Sequence, residues 1–169
     1  MIKKYGEQKN KELIMPLQKL KDYLDSNNIK YVVISHSPAY TAMQTAQHAH
    51  IPGIELAKTV MIKIDGSMTM IVLPSSYKID FELLKKISGA KKIELATEQE
   101  FKTIFPYCEV GAMPPFGNLY NLEVYVAESL SHDKEITFAA GLHSELIKMD
   151  YSDFKKLVNP KEIRISVHV

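Results

Sequence analysis

The spacing of apolar positions changes several times along the chain, and each change marks an element. Leu17, Leu20 and Leu24 recur on one face of a helix that Pro16 can open, because a proline in the first turn lacks only a donor the helix would leave free. The polar run 26–28 (SNN) ends that helix, and the β-branched run 30–36 (KYVVISH) predicts a strand. The segment SPAY breaks the strand, and Thr41 is placed to N-cap a short alanine-rich helix that stops before Pro52 and Gly53. Two apolar runs within 56–74 flank Asp65-Gly66, the turn chemistry of a hairpin. A helix around 79–88, a short strand over 91–95 and a helix opened by Thr97 follow, with Thr97 and Glu100 at capping-box spacing. Beyond the loop GAMPPFGN, strands are predicted near 121–127, 134–139 and 142–149, then a helix from Tyr151 to Val158 and one closing strand, EIRISVHV. Irregular alternation with an antiparallel hairpin predicts a mixed α/β fold. The sheet is mixed, mostly antiparallel and flanked by helices, rather than doubly wound and parallel.

Composition narrows the setting. A chain of 169 residues with 46% apolar content forms one domain with a real core. Residues 1–13 are polar and lysine-rich and are expected to be a loosely ordered extension, leaving 14–169 as the domain. No apolar run approaches the ~20 residues of a membrane span, and the N-terminus lacks the apolar core of a secretory signal. The single cysteine, Cys108, leaves no intramolecular disulfide and fits a reducing cytoplasm, the expected location. A net charge of +1 advertises no long nucleic-acid footprint, so neither DNA nor a membrane is an expected partner; contact with one end of an RNA stays open.

The chemistry-bearing residues are few. No phosphate-binding glycine loop, dinucleotide fingerprint or paired-cysteine motif is present. His48 and His50, two apart on a predicted helix, point to different sides and make a poor metal pair, so no metal or cofactor is expected. Cys108 has no neighbour in sequence that would activate it, and reads as a half-buried loop thiol. Lys58 begins a β-rich run beside the Pro-Gly break: either it snorkels at a strand end, or it reaches into a pocket to hold an anionic or carbonyl oxygen. The loop around Gly111, Pro114 and Pro115 is either a rigid turn or a surface that presents fixed main-chain groups to a ligand, with its chemistry in the backbone. Gly141 allows a turn or a close backbone approach, and His143 is a packed histidine or a pocket donor.

In order, SHSPAYTAMQTAQ, ELAKTV, the hairpin ending IVLP, GAMPPFG and AAGLHSELIKM resemble the YbaK family, the editing domains associated with prolyl-tRNA synthetase. The resemblance runs from about Leu17 to the C-terminus. It implies a mixed α/β fold and a hydrolase that removes a wrong amino acid from a charged tRNA, most simply tRNA(Pro) carrying alanine, cysteine or serine. The family's lysine falls on Lys58, its G-x-x-x-P loop on Gly111 and Pro115, and its late glycine and histidine on Gly141 and His143. Lys58 and the Gly111 main chain would then be catalytic. Pro115, Gly141 and His143, with His36, Tyr40, Thr41, Met113 and Phe116, would bind substrate. One departure stands out: relatives often carry an acidic residue directly after the strand LEVYV, where this chain has Ala127 followed by Glu128. Either Glu128 substitutes by a register shift or that polar contact is absent.

The implied partners are the acceptor end of an aminoacyl-tRNA and a synthetase. Lys85-Lys86 and Lys91-Lys92, with the N-terminal lysines, are candidates for the acceptor stem or else a solvated face. Two other readings compete: a non-catalytic module binding a small amino acid, a nucleotide or a tRNA 3′ end, and a small-molecule esterase or amidase that ignores tRNA.

Overall fold

The computed structural model describes residues 15–168, so the extension expected over 1–13 lies outside the described residues. Helix α1 covers 15–26 and turns Leu17, Leu20 and Leu24 into the core. Strand β1 (Tyr31–Ser35) and helix α2 (Ala42–His48) follow, and the Thr41 hydroxyl accepts from the Gln44 N–H at 3.1 Å as the N-cap. Strands β2 (Leu56–Ile64) and β3 (Ser67–Pro74) form the expected hairpin. Asp65 and Gly66 both have positive φ, 49° and 84°, the backbone that a two-residue turn needs to match strand twist.

Next come β4 (Tyr77–Ile79), α3 (Phe81–Ser88), β5 (Ile93–Leu95) and α4 (Glu98–Lys102). The capping box at Thr97 and Glu100 is formed in both directions. Thr97→Ala is therefore expected to lower stability by about 1 kcal/mol, read as a shifted urea midpoint at constant slope. A 3₁₀ turn (Gly117–Tyr120) leads to β6 (Glu123–Ala127), α5 (Glu128–Ser131), β7 (Glu135–Ala139), β8 (Glu145–Asp150) and α6 (Tyr151–Val158).

The closing strand departs from expectation. It is split into β9 (Lys161–Ile163), parallel to β6, and β10 (Ser166–His168), antiparallel to β4. Between them Ile165 is fully buried beside Leu84, and its carbonyl accepts from Asp80 N–H at 2.9 Å. Burying Ile165 between the two segments takes the chain off the main sheet. The alternation Ile163, Ile165, Val167 runs straight through that break, so periodicity cannot reveal it.

The main sheet has the order β1-β8-β7-β2-β3-β6-β9, with β5 added beside β2. Three of its pairings are parallel, β2 with β7, β3 with β6 and β6 with β9; the others are antiparallel. One face packs Met61, Met70, Val72 and Phe138 against α1 and α6. On the other, α2 covers Leu56 and Leu146 through Ala46, and α3 covers Ile62, Ile71 and Leu73 through Leu84. Side chains alternate along a strand, so Lys58 shares a face with Leu56 and Ile62 and falls in the gap between the two helix-covered patches. The β2 edge opens at the same place. β7 pairs with Leu56 and Ala57 and β5 with Ile62 to Ile64, so no strand adjoins Lys58 to Met61 on that side. Among the described residues no helix is long and apolar enough to cross a membrane.

Candidate functional site

A cleft lies at this opening. The start of α2 gives it Tyr40, Thr41 and Thr45, β2 gives Leu56 to Thr59, the glycine-proline loop gives Gly111 and Met113, and the β7–β8 turn gives Leu142 and His143. Six residues singled out in the sequence, Lys58, Gly111, Met113, Tyr40, Thr41 and His143, thus meet in one cavity although they span more than a hundred positions.

The Lys58 side chain is part-buried, and its Nζ donates to the Ser75 carbonyl at 3.2 Å and to no carboxylate among the described residues. An ammonium has three donors, so two remain for water or a ligand. Burial, and secondarily the positive charge of Lys78, hold its pKa below the ordinary lysine value. A half-buried cation repelled by its nearest charged neighbour is stabilised by an arriving anion.

The loop supplies donors of a different kind. Gly111 has φ +84°, a backbone that glycine adopts without strain. Ala112 spends its N–H on the Glu109 carbonyl at 3.0 Å and its own carbonyl on Gly141 N–H at 2.8 Å, while Glu109 N–H donates to the Gly141 carbonyl at 2.9 Å. The two bonds to Gly141 tie the loop to the β7–β8 turn, and the first closes the loop on itself. The N–H groups of Gly111 and Met113 donate to no described acceptor, and Met113 is only 4% exposed. The Met113 amide, in a buried residue and without a protein partner, is a donor held for water or a ligand, while Gly111 is exposed at the mouth.

His143 lies against this loop. A Cβ on Gly111 would stand 3.7 Å from its Cε1, its Nε2 is 3.8 Å from Glu109 Oε2, and the Tyr40 ring covers it at 5.5 Å between centroids. Tyr40 is 75% exposed, an aromatic face at the rim of the cleft.

Four other singled-out residues stand outside the wall. Pro115 and Phe116 are buried in the core, where the Phe116 ring meets Phe138, Phe154 and Tyr23. The loop dives inward after Met113, so these two support it from behind rather than facing a ligand. Gly141 acts through its backbone, as described. His36 donates its N–H to the Ser144 carbonyl at 2.9 Å and places Nδ1 2.7 Å from the Ser37 carbonyl, which keeps its ring beside the turn rather than in the cleft. Ala127 is buried with Leu84 and Glu128 is exposed on α5; neither lines the cleft, so no acidic group reaches it from that strand.

Cys108 sits half-buried behind the loop, and burial pushes its thiol up to about 11, which leaves it protonated at neutral pH and a poor nucleophile. Among the described residues no three His, Cys, Asp or Glu side chains could together hold a metal ion. The cleft can therefore bind an anion at Lys58 and polarise a carbonyl with main-chain donors, with water as the available nucleophile. Sequence reasoning missed Glu109, Thr45 and Thr59. Nothing local distinguishes them, since Glu109 matters only through His143, 34 positions away.

The aminoacyl-tRNA editing domain family matches residues 36–157. The ProX prolyl-tRNA editing protein of Acetoanaerobium sticklandii is 24% identical over 142 residues, covering 80% of this chain and 85% of that protein. The proline–tRNA ligase of Bacillus cereus (strain Q1) is 27% identical over 67 residues, a match spanning 40% of this chain but only 12% of the ligase. A solved structure described as a candidate trans-editing enzyme for prolyl tRNA synthetase has a TM-score of 0.75 at 17% identity, over 90% of this chain and 97% of the other. At that identity the likeness shows the fold.

Proposed function

The chain belongs to the aminoacyl-tRNA editing domain family, and from that premise we propose that it is a trans-acting deacylase that hydrolyses the ester of a small amino acid wrongly joined to tRNA(Pro). The observation that carries this reading is the pairing, across one cleft, of a half-buried lysine without a carboxylate and two unpartnered main-chain donors. The relatives named for prolyl-tRNA editing and proline–tRNA ligation direct the choice of tRNA.

An aminoacyl ester is intrinsically labile, since the α-ammonium and the adjacent ribose hydroxyl both activate it. No covalent nucleophile is required. Lys58 binds a phosphate or ribose oxygen of the terminal adenosine, and the N–H groups of Gly111 and Met113 receive the carbonyl oxygen as it gains negative charge. Water adds to the carbonyl carbon, the bond to the ribose oxygen breaks, and that oxygen leaves with a proton as the hydroxyl. Fixed donors and positioning together contribute on the order of 3–7 kcal/mol to such a step. The exposed Tyr40 face at the rim suits stacking of the terminal base. Stacking is worth about 1–3 kcal/mol per base, so Tyr40→Ala is expected to raise KM roughly tenfold with little change in kcat.

The test is to charge tRNA(Pro) in turn with alanine, cysteine, serine and proline and follow loss of the charge. Release of one or more small residues with prolyl-tRNA spared supports the reading. Release of none, with the tRNA still bound, would support a binding module instead; cleavage of aminoacyl esters lacking tRNA at equal rate would make the protein a general esterase. Salt gives a second check. If Lys58 and Lys78 neutralise two phosphates of the single-stranded end, log kcat/KM falls with log salt at a slope of about −1.4, and Lys78→Ala reduces that to about −0.7.

A further inference from the structure

Glu109 is a charged side chain of the glycine-proline loop whose carboxylate is directed at a residue of the cleft. Its Oε2 lies 3.8 Å from His143 Nε2, with the two side chains 32% and 12% exposed. Both partners are anchored to the same frame. Glu109 N–H donates to the Gly141 carbonyl at 2.9 Å and its carbonyl accepts from Ala112 N–H at 3.0 Å, while the His143 carbonyl accepts from Ala39 N–H at 3.2 Å. The ring itself is covered on one side by Tyr40. Its other nitrogen, Nδ1, has no partner among the described residues. A separation of 3.8 Å is long for a hydrogen bond, and such contacts tighten when a ligand fills the site.

We propose that Glu109 is the positioning residue for His143, and that through it the cleft selects substrates bearing a free α-amine. This inference rests on the deacylase reading above. The carboxylate captures the proton on Nε2, which fixes the tautomer and leaves Nδ1 as a lone-pair acceptor. An aminoacyl ester carries an ammonium beside its carbonyl and phosphates along its nucleotide. The Glu109–His143 pair answers the first and Lys58 the second, so the cleft has opposite polarity at its two ends. Peptidyl-tRNA and N-acylated aminoacyl-tRNA carry an uncharged amide in place of that ammonium, which offers Nδ1 one neutral N–H at most and gives the Glu109–His143 pair no charge to answer.

Two measurements on the full chain decide this. The first is the long-range proton–nitrogen spectrum of the His143 ring, assigned by comparison with His143→Gln. The wild type is expected to hold the proton on Nε2. Glu109→Leu is expected to give a mixture with the proton on Nδ1, and Glu109→Gln, whose amide oxygen still accepts, to restore the wild-type form. The second is kinetic, with alanyl-tRNA(Pro) and its N-acetyl derivative. Wild type should favour the free amine by at least about tenfold in kcat/KM, the worth of one charge-assisted hydrogen bond. Glu109→Leu should raise KM for alanyl-tRNA about tenfold, change kcat less and level the two substrates, and Glu109→Gln should recover most of the loss.

A His143 spectrum unchanged in Glu109→Leu overturns the positioning role. A wild type that cleaves both substrates equally overturns the selection, even should Glu109→Leu fail to fold. A tautomer that shifts as expected in a protein that deacylates neither substrate would leave the pairing standing, while overturning the selection and the deacylase reading beneath it.

Discussion

Lys58→Met is expected to lower kcat/KM for the mischarged tRNA by about 10–10², the worth of one charge-assisted hydrogen bond that holds the terminal adenosine. Stability should not fall with it. Burial penalises the charged form of Lys58 in the folded chain, and its only described hydrogen bond goes to the Ser75 carbonyl. The folded-state pKa lies below the unfolded one, so the folded protein binds this proton less well. The penalty is full at pH values below the folded pKa and disappears as pH rises through it toward the unfolded value. Methionine keeps the stem and removes the charge. The variant is therefore expected to match or exceed the wild type in urea midpoint at pH 7, with the difference narrowing in alkaline buffer. A variant both inactive and markedly unstable would mean that Lys58 serves the fold, and its role in the cleft would lose its support. Lys58→Arg separates charge from shape: a guanidinium in place of a compact ammonium should recover only part of the activity, because its planar fork does not fit the Ser75 carbonyl and one oxygen alike.

The elements with local causes were legible in the sequence. The two-residue turn at Asp65-Gly66, the Thr41 cap and the Thr97–Glu100 box each depend on residues within four positions, and each formed as expected. The cleft depends on distant pairings instead. Its opening exists because β7 and β5 share one edge of β2 without meeting, and β2 and β7 partners are 81 positions apart. Its walls include Leu56, Ala57 and Leu146, which by spacing are indistinguishable from core. The order of five segments brought Lys58, Gly111 and His143 together through resemblance, and the geometry then separated the loop's two halves. Gly111 and Met113 line the cleft, Met113 while also packed into the core, whereas Pro115 and Phe116 lie in the core alone. Sequence spacing could not divide a run as apolar as 112–116.

Gly141→Ala should be strongly destabilising, for two reasons that add. Its φ of +98° is a backbone that side chains other than glycine rarely adopt, and a Cβ there would stand 2.8 Å from the Cβ of Pro16, an atom on a rigid ring at the start of α1. Backbone strain costs about 1–3 kcal/mol and overpacking about as much again, so a loss of roughly 2–6 kcal/mol is expected, lowering Tm by on the order of 10 °C. Gly111→Ala isolates the first cause. Its φ is +84°, but a Cβ would meet only His143 Cε1 at an ordinary 3.7 Å, so about 1–2 kcal/mol is expected there. Comparing the two by thermal unfolding tests the packing argument directly: equal losses would mean that α1 yields and the Pro16 contact carries no energy. Activity should follow a different order. Gly111→Ala strains the backbone that carries a donor in the cleft, so it should impair deacylation more than its stability loss explains. Gly141 reaches the site only through its bonds to Ala112 and Glu109. Removing the contact with Pro16→Gly in the Gly141→Ala background should therefore return only the packing part of the loss and leave the φ strain in place.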